Sequence, residues 1–170
     1  MTPLRERPAH TADERTQLLA WLDMQRAVIA WKCEGLSEDE AHRAVLPASP
    51  LMTMAGLVAH LRWVEHCWFE VIALGRGEAD NPQFDESLPE DAEMMVDDVP
   101  LATLLEDYRR QCALSDETVA GFSLDDTSRN ERFDGISLRW ILFHMIEETA
   151  RHAGHADAIR ELLDGEKGYY

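Results

Sequence analysis

The sequence predicts an all-α protein, a four-helix bundle with one long crossover connection, and three observations carry that expectation. Apolar residues recur at spacings of three and four through four separate stretches. The breakers Pro47, Pro50, Gly75, Pro100 and Gly165 fall at the ends of those stretches. No run of useful length alternates polar and apolar residues as a half-buried strand would.

The first helix is expected over residues 11–36, with Leu18, Leu22, Ile29 and Cys33 inward. A short turn follows from the cap Ser37 through SEDEAHR. The second helix covers residues 53–74 and stops at Gly75, a residue suited to a helix end. Its stripe reads Leu57, His60, Val64, Cys67, Val71 and Leu74. The third opens at Pro100, whose missing N–H costs nothing in a first turn, and turns Leu101, Leu104, Tyr108, Cys112, Ser115, Val119 and Phe122 to one side. The fourth starts at the cap Ser137 and ends near Asp164, with Leu138, Ile141, Met145, Glu148, His152, His155, Ile159 and Leu162 on its stripe. Residues 1–170 are expected to form a single domain, long enough to bury a core without a disulfide or a structural metal.

A net charge of −17 argues against nucleic acid or an anionic membrane as partner, since both require a positive footprint. No apolar run reaches the ~20 residues that span a bilayer. The scattered Cys33, Cys67 and Cys112 contain no CxxC pair and read as reduced thiols, which places the protein in the cytoplasm. Nine carboxylates and no lysine or arginine lie between Glu78 and Asp98. That stretch reads as a solvated loop joining the second and third helices, without the ligand spacing of a calcium loop.

The chemistry lies on the second and fourth stripes. An isolated carboxylate at Glu148, on an apolar face, would cost several kcal/mol or take up a proton, so a cation is the economical partner. Four residues on, His152 presents a nitrogen to the same point, and His60 adds a second imidazole from another helix. Two histidines and one carboxylate leave positions open for water or substrate, as catalytic zinc sites do. The set also suits nickel, iron or manganese, with zinc first. His144 and His155 complete HxxxExxxHxxH and read as hydrogen-bonding partners of a ligand or as alternative ligands. Glu147 turns to the surface.

GLVAHLRWVEHCWF on the second helix and LRWILFHMIEETARHAGHADAIRELLDG on the fourth resemble the DinB-like superfamily of metal-binding four-helix bundles, and in particular its actinobacterial, mycothiol-linked branch. Members hold a divalent metal through one histidine on helix two and an HxxxH on the last long helix, positions that fall here on His60, Glu148 and His152. Glu148 departs from the histidine pattern in the way mycothiol-dependent maleylpyruvate isomerase relatives do. The resemblance implies a small-molecule thiol such as mycothiol or bacillithiol as cofactor. A metal-bound thiolate would be the nucleophile in S-transfer to an electrophile or in an isomerisation. The alternative is a non-catalytic, stress-related bundle that binds metal or ligand. The thiol pocket, the electrophile and the question of a homodimer are left open by these residues.

Overall fold

The computed structural model describes residues 7–78 and 81–168. Among these it is all-helical, as expected: α1 (Glu14–Lys32), α2 (Glu38–Ala41), α3 (Met54–Glu65), α4 (Leu101–Ala120) and α5 (Leu138–Asp164), with no strand beyond an isolated bridge between Thr127 and Ser137. By internal packing the chain divides into two compact units, Met1–Met54 with Leu142–Tyr170, and Ala55–Ile141. No helix among the described residues is long and apolar enough to cross a membrane.

In the first unit, Asp13 caps α1 by accepting the Thr16 N–H at 3.1 Å, and Ser37 with Glu40 forms a reciprocal capping box at α2. Leu18, Leu22, Ile29 and Cys33 are buried as the spacing requires. The open carbonyls at the end of α1 find a donor on α5. Buried Arg160 donates to the carbonyl oxygens of Lys32 at 2.7 Å and Glu34 at 2.9 Å, while Asp164 accepts from its other edge. Lys32 is also buried, and its ammonium meets Asp157 at 2.5 Å. These bonds fix the C-terminal half of α5.

In the second unit, α3 continues without interruption into a π-helix, His66–Ala73, where a plain α-helix was expected. The Leu74 N–H reaches back five residues to the Phe69 carbonyl at 3.3 Å, the span of a π turn, and beyond the helix end the Arg76 N–H caps the Glu70 carbonyl at 3.0 Å. The segment 128–130 closes its C-terminal end. Val71, Ile72 and Ala73 carbonyls accept from the Asn130 side chain, the Ser128 hydroxyl and the Arg129 N–H at 3.0, 2.7 and 3.0 Å. Gly75 turns at φ +70°, and a Cβ there would stand 2.7 Å from the Arg129 carbonyl oxygen, so only glycine fits. Gln111 of α4 donates to the buried Glu70 carboxylate at 2.8 Å, joining α4 to the π-helix.

One stripe position is corrected. Leu162, expected inward, is 58% exposed, whereas Leu142, Thr149 and Ala156 are fully buried. A straight helix turns about 100° per residue, so a seven-residue repeat drifts by roughly 20° each time. Along 148, 155 and 162 that drift carries the side chain from the edge of the buried face out to solvent. The five tryptophans are part-exposed or exposed, at the rim and not in the centre.

Candidate metal centre

Helix α5 brings Glu148 and His152 together. They stand one turn apart, with side chains 12% and 11% exposed, and Glu148 Oε1 lies 3.1 Å from His152 Nε2. The second carboxylate oxygen accepts from Arg151 at 3.0 Å, and Arg151 also holds the exposed Glu147. Glu148 is thus shared between a cation at the rim and an imidazole within. His155 approaches His152 from the next turn, Nδ1 to Nδ1 at 3.4 Å, with the rings edge to face. One of those nitrogens must carry the proton. Burial pushes the His155 imidazole below its ordinary range, helped by His152 and Arg151, so it is neutral near pH 7. Burial does the same to His144, one turn before Glu148, against the opposing pull of Glu148 and Glu147.

Helix α3 holds His60 with its side chain 16% exposed. Its Nδ1 lies 2.9 Å from Oε1 of Glu93, and Gln83 Nε2 donates to that same oxygen at 3.2 Å. Glu93 comes from the acidic segment that the sequence presents as a solvated loop. Here a single-turn 3-10 helix, Ala92–Met94, carries it inward, so that Glu93 and Met94 are buried while Asp91 and Met95 remain exposed. Burial works to raise the Glu93 carboxyl, but the bonds from His60, its own N–H and Gln83 outweigh it and hold the group ionised below its usual range. A cleft of about 590 Å³ opens beside this pair, walled by His60, Glu93, Gln83, Phe84, Leu88 and Arg132.

The remaining candidates have structural roles. Cys67 is buried, and burial, with Glu78 adding to it, pushes its thiol up to about 12, so it is no nucleophile at neutral pH. His66 packs edge-on against Trp63, and the Arg62 guanidinium stacks on the same indole at 3.7 Å. Cys33 and Cys112 take part in no disulfide among the described residues.

The donors suit a divalent ion. Two ligands about 2.1 Å from one ion, at angles between square and tetrahedral, stand roughly 3.0–3.4 Å apart. The 3.1 Å between Glu148 Oε1 and His152 Nε2 falls in that interval. The carboxylate on His60 is the partner that metal-ligating imidazoles commonly carry on their second nitrogen.

A family model described as mycothiol S-transferase matches residues 17–165. The chain belongs to the mycothiol S-transferase family. That family lies within the DinB-like superfamily, and the matched span contains His60, Glu93, Glu148 and His152. Membership supports a mycothiol S-transferase-like activity on a small-molecule thiol. Nothing matches among curated proteins or among solved structures.

Proposed function

We propose that this mycothiol S-transferase family member holds one divalent ion, zinc first among the candidates, through His60, Glu148 and His152, and joins mycothiol, through its sulfur, to a small electrophile. Each of the three residues carries a nitrogen or an oxygen able to serve as a metal ligand. The observation that carries the proposal is the Glu148–His152 pair, a carboxylate and an imidazole 3.1 Å apart and little exposed. On this reading residues 1–170 act as one domain in the cytoplasm.

When bound, a divalent ion supplies the positive charge that lets a thiol ionise at neutral pH. The chain's own residues do the rest. Glu148 and His152 are binding groups; Arg151 orients Glu148 through its outer oxygen, and the neutral His155 can accept the Nδ1 proton of His152, leaving Nε2 as the donor atom. His144, neutral near pH 7, is a group able to take the proton the thiol gives up, since the bare nitrogen of His155 is committed to His152. With a chlorinated aromatic, a sulfur–carbon bond forms, the carbon–chlorine bond breaks, chloride leaves and the thiol proton is released. With a quinone, the sulfur–carbon bond forms as the ring C=C π bond breaks, and a proton is taken up by the adduct. Cys67 does not compete as nucleophile, and the 590 Å³ cleft beside His60 has room for a small molecule.

The test combines activity with metal content. The purified protein should accelerate conjugation of mycothiol to a chlorinated aromatic or a quinone, and lose the acceleration on chelation. His152→Ala should bind no ion and give no acceleration, with far-ultraviolet circular dichroism unchanged. If calorimetry finds no binding of mycothiol, bacillithiol or glutathione to the metal-loaded protein, the enzyme reading fails and a metal-binding bundle without catalysis replaces it.

A further inference from the structure

We infer that Glu93 is a positioning residue of the metal centre: it fixes which nitrogen of His60 can serve as ligand and ties the acidic segment 82–94 to metal affinity. The inference rests on the metal reading proposed above.

A neutral imidazole carries one proton on two nitrogens, and only the bare nitrogen can coordinate a cation. An ionised carboxylate accepts hydrogen bonds and donates none. With Glu93 Oε1 at 2.9 Å, His60 Nδ1 must therefore carry the proton, which puts the lone pair on Nε2. The carboxylate also makes the ring a stronger base and holds its plane. Glu93 is itself held. Gln83 donates to the same oxygen at 3.2 Å, and the Met94 N–H closes the turn on the Asp91 carbonyl at 2.9 Å. Asp91 enters that turn in the left-handed region, at φ 59°, a conformation that aspartate adopts more readily than most non-glycine residues. Among the described carboxylates of residues 78–98, Glu93 is the buried one. An acidic group drawn out of water within an otherwise solvated run requires compensation, and the His60 ring supplies it.

Coupling of this kind is reciprocal. A cation on Nε2 draws electron density from the ring and strengthens the Nδ1–H bond to Glu93, so an ion that gains affinity from Glu93 must in turn hold segment 82–94 more firmly.

The experiment uses the full chain and zinc alone. Zinc affinity is measured by chelator competition for the wild type, Glu93→Ala and Glu93→Gln, and hydrogen exchange of residues 82–95 is followed with and without zinc. Removal of such a carboxylate commonly costs 10- to 100-fold in metal affinity, so Glu93→Ala should weaken zinc by about that factor. Glu93→Gln should fall between, because its amide can accept from Nδ1 or donate to it and no longer selects the tautomer. Its near-isosteric shape keeps the comparison informative if the alanine variant folds poorly. Zinc should slow exchange in segment 82–95 of the wild type and lose that effect in both variants. A zinc affinity within about twofold of wild type in both, or exchange in 82–95 indifferent to zinc, overturns the inference while leaving the metal site standing. A wild type that binds no zinc overturns both.

Discussion

Glu148→Gln separates a ligand from its neighbour. In the metal-free protein Glu148 bonds His152 and Arg151, but Arg151 keeps Glu147, so losing the charge should cost the fold about 1 kcal/mol or less. The metal-loaded protein responds differently, since a charged oxygen ligand becomes a poor neutral one and affinity should fall by about tenfold or more. An ion at 100 times its dissociation constant stabilises the wild type by about 2.7 kcal/mol. At the same concentration a tenfold weaker variant gains about 1.4 kcal/mol. For a chain of this length each kcal/mol moves Tm by roughly 2–4 °C, so zinc should raise the wild-type Tm by about 5–11 °C and that of Glu148→Gln by about 3–6 °C. Glu147→Gln should respond as wild type, because its carboxylate is exposed and faces only Arg151. Scanning calorimetry with and without zinc reads all three. Equal losses in the two variants would show that Glu148 is not the ligand of the pair.

Two further outcomes concern the scaffold. Arg160→Ala strips donors from the Lys32 and Glu34 carbonyls and should cost about 2 kcal/mol or more, seen as a Tm at least about 4 °C lower; an unchanged Tm would mean that water replaces the guanidinium at both. Burial works to raise the Glu70 carboxyl, yet its bonds to Gln111 and Arg76 hold it below its ordinary value of 4.5, so its stabilising contribution is present above that pH and is lost as pH falls through the lower folded value. Glu70→Gln should accordingly flatten the acid limb of stability measured by urea unfolding from about pH 6 downward, and an identical slope in the variant would contradict this.

The helices were legible because local chemistry and periodicity agree on them: Ser37, Gly75, Pro100 and Ser137 mark boundaries, and the stripes between them have the helical repeat. Glu148 and His152 stood out as polar groups on an apolar face. The π-helix did not, because residues 67 and 69–73 are all buried and a stretch buried on every side has no period to betray its winding. Leu162 misled because a strict seven-residue count outlasts the straight helix that it describes. Glu93 was hidden for a different reason. It sits in a run of like charges with no repeat, and its partner lies 33 residues away in sequence, so its inward turn is a tertiary fact.

The buried thiol of Cys67 bears on how such a protein would age. With its pKa pushed up to about 12, the thiol stays protonated at pH 7, and the residue is buried as well. Cys33 is equally enclosed, which leaves the half-exposed Cys112 as the cysteine within reach of a reagent. A catalyst handling alkylating compounds faces poisoning by its own reactants. If the proposed transfer holds, the enclosure of Cys33 and Cys67 confines such alkylation of thiols to Cys112.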